Sequence, residues 1–162
     1  MYYFYNWTSQ NYSSCHTWPA TGCDSYHAVP GPGYNGTNVY LKPGSLLAVP
    51  PSEYDAVAAK ITTVPGRLFL DALTDYGGYL VDDTGSEQGG GAFCAEHGVN
   101  DEVLQTYGYS IAIEDPLTPT QGGPLYWDLV YIFQSLNVVI NNGPESVGGG
   151  GVPRRPPPPP IC

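Results

Sequence analysis

The residues best suited to chemistry in this 162-residue chain are acids, and their spacing limits what they can do. Asp82 and Asp83 are adjacent. Paired carboxylates can cleave a glycosidic bond when the two groups flank it across a cleft. Successive residues of a strand point to opposite faces, so Leu80 and Asp82 would share one face and Tyr79 and Asp83 the other. Without a bulge these acids read as solvent-facing or capping residues at a strand end. With Asp128 they are the candidate acids of a polysaccharide-active enzyme, the weakest of three functional readings. The run "DDTGSE" offers oxygen ligands for Ca2+, but it lacks the twelve-residue spacing and terminal Glu of an EF-hand loop.

His16, His27 and His97 are scattered, and none falls in H-E-x-x-H or in paired C-x-x-C and H-x-x-H spacing, which argues against zinc. His97, with Glu96 and Asp101, reads as a surface cluster rather than a triad. There is no G-x-S-x-G elbow. "GGGG" neither follows a strand nor precedes the Lys of a phosphate loop. The sequence therefore predicts no catalytic residue, cofactor or metal site, and no enzyme.

Covalent modification is better marked. Four cysteines, Cys15, Cys23, Cys94 and Cys162, suit disulfides. Cys15 and Cys23 flank a Pro/Gly turn region, "CHTWPATGC", and are expected to pair. By elimination Cys94 pairs with Cys162, in the same chain or in a neighbour. Three N-x-S/T sequons, at Asn6, Asn11 and Asn35, fall within the first 37 residues. With the cysteines they point to an extracellular, N-glycosylated chain. "MYYFYNW" lacks the basic and apolar regions of a signal peptide, so the numbering is expected to begin at a mature N-terminus.

Aromatic residues crowd the start: Tyr2, Tyr3, Phe4, Tyr5, Trp7, Tyr12 and Trp18. Exposed, they could stack on sugar or proline rings; otherwise they cover the domain's own sheet. The other end reads "PRRPPPPPIC". Proline has no backbone N–H and a fixed φ, so Pro156, Pro157, Pro158, Pro159 and Pro160 are expected to form polyproline II. These are candidate hydroxyproline and O-glycan positions, or a segment for a partner to grip.

These features must be carried by an acidic body. Net charge is −10 and only 12% of residues are charged, with Lys and Arg together numbering five. Nucleic acid is excluded as a partner, because phosphate neutralisation needs clustered basic residues. No apolar run approaches the roughly 18 residues of a membrane span. "VYLKPGSLLAVPP" predicts two short strands around a Pro-Gly turn. A helix follows, with Pro65 in its first turn, a stripe of Val64, Leu68, Phe69, Ala72, Leu73 and Tyr76, and a stop at Gly77. "GYLVDDT" reads as a buried strand, "DEVLQTY" as a short helix capped by Asn100, and "YSIAIED" as a strand. A second long helix spans 124–136 with Leu125, Leu129, Ile132, Phe133 and Leu136 on its buried face, and "NVVINN" is the strand after it. The predicted class is α+β: a single disulfide-stabilised domain with two principal helices on a small, mostly antiparallel sheet. The expected divisions are an aromatic, sequon-rich segment 1–38, a core domain 39–142, a Gly-rich linker 143–152 and a polyproline tail 153–162.

"LKPGSLLAVPP", "PGRLFLDALTDYGGYLVDDTG" and "YWDLVYIFQSLNVVINN" resemble a domain of poorly characterised secreted proteins, mostly microbial. The pattern there is a PGR-x4-AL-x2-YG helix, a V-x-D strand and a later W-x-D-L helix ending in L-x-V-V. Here that helix reads Tyr126-Trp127-Asp128-Leu129, with the tryptophan one place nearer the aspartate. The resemblance covers about residues 39–142. Its motifs are packing and turn residues, so it implies a fold and no activity.

The leading expectation is a secreted, glycosylated structural protein that self-assembles head to tail into an extracellular filament through its terminal segments. Its partners would be other copies of itself and glycans, without membrane insertion. The alternatives are an extracellular carbohydrate-binding or adhesive module and, behind it, the polysaccharide-active enzyme.

Overall fold

The computed structural model describes residues 15–29, 33–34, 36–82, 96–111 and 123–150. The sequons Asn6, Asn11 and Asn35, the aromatic run Tyr2 to Trp7, Asp83, Cys94, Cys162 and the prolines 156–160 lie outside the described residues.

The sheet begins where "LKPGS" must turn. Pro43 and Gly44 occupy the centre of a turn closed by Ser45 N–H donating to the Lys42 carbonyl at 2.9 Å, and Gly44 has φ +88°. Proline followed by a positive-φ glycine is the signature of a type II turn. The chain then runs straight into β1 (Leu46–Ala48), which stops before Pro50–Pro51 because proline cannot donate to a ladder. β1 is the central strand of three, with β2 (Gly78–Tyr79) on one side and β3 (Asn137–Val138) on the other, both antiparallel. Leu46 faces Tyr79, and Leu47 faces both Gly78 and Val138.

Four α-helices complete the architecture: α1 (Tyr54–Ala58), α2 (Val64–Asp75), α3 (Val99–Tyr107) and α4 (Pro124–Gln134). The predicted α+β class with a small antiparallel sheet is what forms. Both principal helices appear at the expected places, with Pro65 and Pro124 in their first turns. α2 ends as anticipated at Gly77, whose φ of +75° no β-carbon tolerates well, and whose missing side chain lets the Leu47 carbonyl approach.

The core lies between α1, α2, α4 and one face of the sheet. Leu47 and Val49 from the sheet side meet Val57, Ile61, Leu70, Leu73, Ile132 and Leu136. Each such leucine or isoleucine removed from water stabilises the fold by about 1.5–3 kcal/mol. Leu46 is equally buried but points the other way, as the period of two along a strand requires. That second face is covered by the segment after Cys15: Thr17 N–H donates to the Pro43 carbonyl, and Ala20 lies against Gly44.

Several local expectations change. Val39 and Tyr40 form an exposed turn rather than the first of two strands. The stripe assigned to α2 is rotated: Pro65, Gly66, Leu70, Leu73 and Thr74 are buried, whereas Val64, Leu68 and Tyr76 are exposed. "GYLVDDT" contributes only two residues of strand, and Val81 is 72% exposed. Gly98, not Asn100, precedes α3; the Asn100 Oδ1 instead accepts from Ile111 N–H at 2.9 Å, tying the helix start to the chain beyond its end. No strand forms over Tyr109–Ile111. The Gly-rich stretch from 143 carries ordered turns as far as Gly150, with Gly149 buried and the Asn141 amide donating to its carbonyl.

Candidate functional site

A groove of about 330 Å³ runs along the β3 edge of the sheet, on the Leu46 side. Its floor is Gly44, Ser45 and Leu46. One wall is the turn before the type II turn: Val39, Tyr40 and Lys42. Ser45 holds that wall in place, because its hydroxyl donates to the Tyr40 carbonyl at 2.6 Å and accepts from Lys42 N–H at 3.1 Å. The opposite wall is Val138, Val139, Ile140 and Asn142, fixed to the floor by Val139 N–H donating to the Leu46 carbonyl at 2.9 Å. Thr17 contributes to the lining from the covering segment.

The lining combines apolar surface with donors. Tyr40 is 55% and Ile140 73% exposed, so both present their side chains to whatever enters. Lys42 lies partly out of water, and that desolvation lowers its ammonium pKa below the usual 10.5. The Asn142 Oδ1 accepts from Tyr79 hydroxyl at 3.3 Å and from Gly148 N–H at 2.9 Å, which turns the amide nitrogen away from these two partners. Beside it, the Trp18 and Tyr79 rings meet edge to face, their centres 6.3 Å apart.

Both ends of the described body come near this groove. Thr17, which lines it, stands two residues after Cys15, the first described residue. Gly149 packs against the Val139 side chain, and residues 151–162 follow directly.

Cys15 and Cys23 form the expected disulfide, with Cα atoms 6.1 Å apart. It closes the loop that covers the Leu46 face. The His16 Nδ1 lies 3.8 Å from the Cys15 sulfur, and these three side chains have their ligand atoms within 4.8 Å of one another. With both sulfurs in the disulfide, the thiolates that a soft metal requires are not formed.

Of the candidate acids, the two described ones, Asp82 and Asp128, are placed differently. Asp82 is on the surface after β2. Asp128 is 1% exposed and belongs to the interior, which corrects its reading as a catalytic acid. Its Oδ1 accepts from Thr62 N–H (2.9 Å) and the Thr62 hydroxyl (3.2 Å). Its Oδ2 accepts from Thr63 N–H (2.8 Å) and the Thr63 hydroxyl (2.6 Å), and Thr63 Oγ1 in turn accepts from Gly66 N–H. The carboxylate thus clamps α4 onto the N-terminus of α2, where unpaired N–H groups and the helix dipole favour an anion. Gly66 is required there, since a β-carbon would come within 2.8 Å of the Asp128 Cβ. His97, Glu96 and Asp101 are all exposed at the start of α3. His27 is buried, its Nδ1 2.8 Å from the Asp24 carbonyl, in a turn that Tyr34 closes by donating to Asp24 Oδ2.

The groove residues Tyr40, Lys42 and Ile140 were not singled out from sequence. The available signal was "YLKPGS": a tyrosine and one of only five basic residues immediately before an obligatory turn.

Comparison with known proteins adds no relative: no family model, no curated protein and no solved structure matches this chain.

Proposed function

We propose that this chain is a secreted structural protein whose copies join head to tail through their terminal segments and build an extracellular filament. One observation carries the reading: near the first described residue, Thr17 lines an apolar, donor-bearing groove, and near the last, Gly149 sits against Val139 of the same groove's wall. A body with its connectors and a receptive surface on one side can pass a connector to a second copy. Such a heterologous contact propagates unless it closes into a ring. The Cys15–Cys23 disulfide fits an oxidising, extracellular setting. Glycans on Asn6, Asn11 and Asn35 would coat the N-terminal side, and Cys94 with Cys162 would supply a second bond, within or between copies. The proposed kinship with secreted microbial domains rests on the sequence pattern, two of whose glycines have packing roles here: Gly66 is seated against Asp128 and Gly77 turns α2 into β2.

Negative-stain electron microscopy of the purified full-length chain tests the reading. Filaments are expected, and a chain ending at Gly150 should stay dispersed with unchanged circular dichroism. Monodisperse particles of the full-length protein would overturn it.

A second reading, a carbohydrate-binding module, is favoured by the Trp18–Tyr79 pair with Asn142 beside it, an aromatic platform next to a polar amide. Binding on a glycan array that is lost in Tyr79→Ala would support it.

A further inference from the structure

We infer that the groove between Tyr40–Lys42 and the Val138–Ile140 edge is the receptor for the polyproline run Pro156–Pro160 of a second copy. This rests on the head-to-tail reading and names its joint.

The first argument is chemical. Polyproline presents ring faces and carbonyl acceptors but no N–H donors. A matching surface therefore needs apolar area, a tyrosine and donors. Tyr40 and Ile140 supply exposed ring and side-chain area, and the Lys42 ammonium and Tyr40 hydroxyl supply donors. An ordinary extended strand would bring N–H groups as well and would need acceptors in return. A polyproline segment is also already extended, so docking it in an aromatic groove orders little chain.

The second argument is charge. All fifteen acids precede the tail, while Arg154 and Arg155, two of the five basic residues, stand immediately before the prolines. They would meet an acidic body, with Glu145 exposed on the turn between the groove wall and Gly149.

The third argument is reach. The tail follows Gly150, and the neighbouring Gly149 sits against Val139, a residue of the groove wall. At the polyproline II rise of about 3.1 Å per residue, an extended run would put Pro156 about 19 Å from Gly150. Returning five rigid rings to a groove at their own root demands a reversal within Pro153–Arg155. Extended outward, they arrive at another molecule.

The test is complementation between two full-length variants. One has the receptor disabled by Ile140→Asp, with Tyr40→Ala as the second version; both side chains are exposed, and unchanged thermal melts confirm folding. The other has Pro156 to Pro160 replaced by serine. Each alone is expected to be monomeric by sedimentation velocity, and an equimolar mixture to form one-to-one dimers and nothing larger. A fluorescent peptide of residues 152–162 with Cys162→Ser should bind the serine variant, and at least about tenfold more weakly when Ile140→Asp is added. Filaments from either variant alone, or a mixture that stays monomeric with no peptide bound, would overturn the inference. In the first case assembly itself survives and must use another contact. A receptor filled by its own tail would also overturn it; the wild-type chain would then be monomeric and reject the peptide that the serine variant binds. Peptide binding to a wild-type chain that never assembles would keep the receptor and remove the filament.

Discussion

Asp128 shows how a side chain with catalytic potential is committed to structure. Its carboxylate receives two N–H and two hydroxyl groups from Thr62 and Thr63, and nothing else in the described body joins α4 to the start of α2 with comparable density. Asp128→Ala would leave buried donors unpaired and is expected to cost about 3 kcal/mol or more. Urea denaturation should show a lowered midpoint with an unchanged slope. Asp128→Asn should cost less, since one oxygen remains to accept. The position was legible in principle, because residue 128 falls in the same stripe as Leu125, Leu129 and Ile132, where an acid signals a buried partner. Lys42 makes the opposite kind of statement. Desolvation depresses its folded pKa below 10.5, so the unfolded chain binds more protons between the two values. Stability contributed by this group therefore rises with pH through that window. Lys42→Met should be the more stable protein at pH 7, and its advantage in melting temperature should shrink as pH approaches 10.5; comparing the two proteins cancels the tyrosines they share.

At the level of elements, helix positions and ends were readable because they rest on local chemistry: Pro65 and Pro124 at starts, Gly77 at a stop, and Pro43-Gly44 at a turn. The buried face of α2 was not. An apolar stripe chosen by residue type favours Val64, Leu68 and Tyr76, yet the interior takes Gly66 and Thr74 instead. Gly66 is there because Asp128 presses on it, and Thr74 is tolerated because its hydroxyl donates to the Leu70 carbonyl at 2.7 Å. Neither reason is local, so periodicity alone misses the rotation. Leu70→Ala is expected to destabilise by about 2–5 kcal/mol and Leu68→Ala by less than about 0.5 kcal/mol, measured as a pair by denaturant titration. Equal effects would contradict the orientation of α2. Gly77→Ala should cost about 1–3 kcal/mol, through its positive φ and the Leu47 carbonyl that its side chain would strike. Strand lengths were overread for a related reason: a three-residue centre bounded by Pro-Gly and Pro-Pro leaves its neighbours little to pair with.

For the molecule as a whole, composition spoke more clearly than motif. An acidic, lysine-poor body with a basic proline tail is visible in the sequence. The groove is not, because its two walls come from residues about a hundred positions apart, brought together only by β1 pairing with β3. The disulfide loop completes the arrangement by covering Leu46. Closing a loop of that length stabilises by about 2.5 kcal/mol, so reduction should lower the melting temperature and loosen the cover beside the groove. The central claim, that copies join head to tail, is tested most directly by sedimentation velocity of the full-length chain over rising concentration. The account predicts an average mass that grows well past the dimer without a plateau. A single boundary at the monomer mass, 17.4 kDa of polypeptide plus its glycans, at every concentration would contradict it.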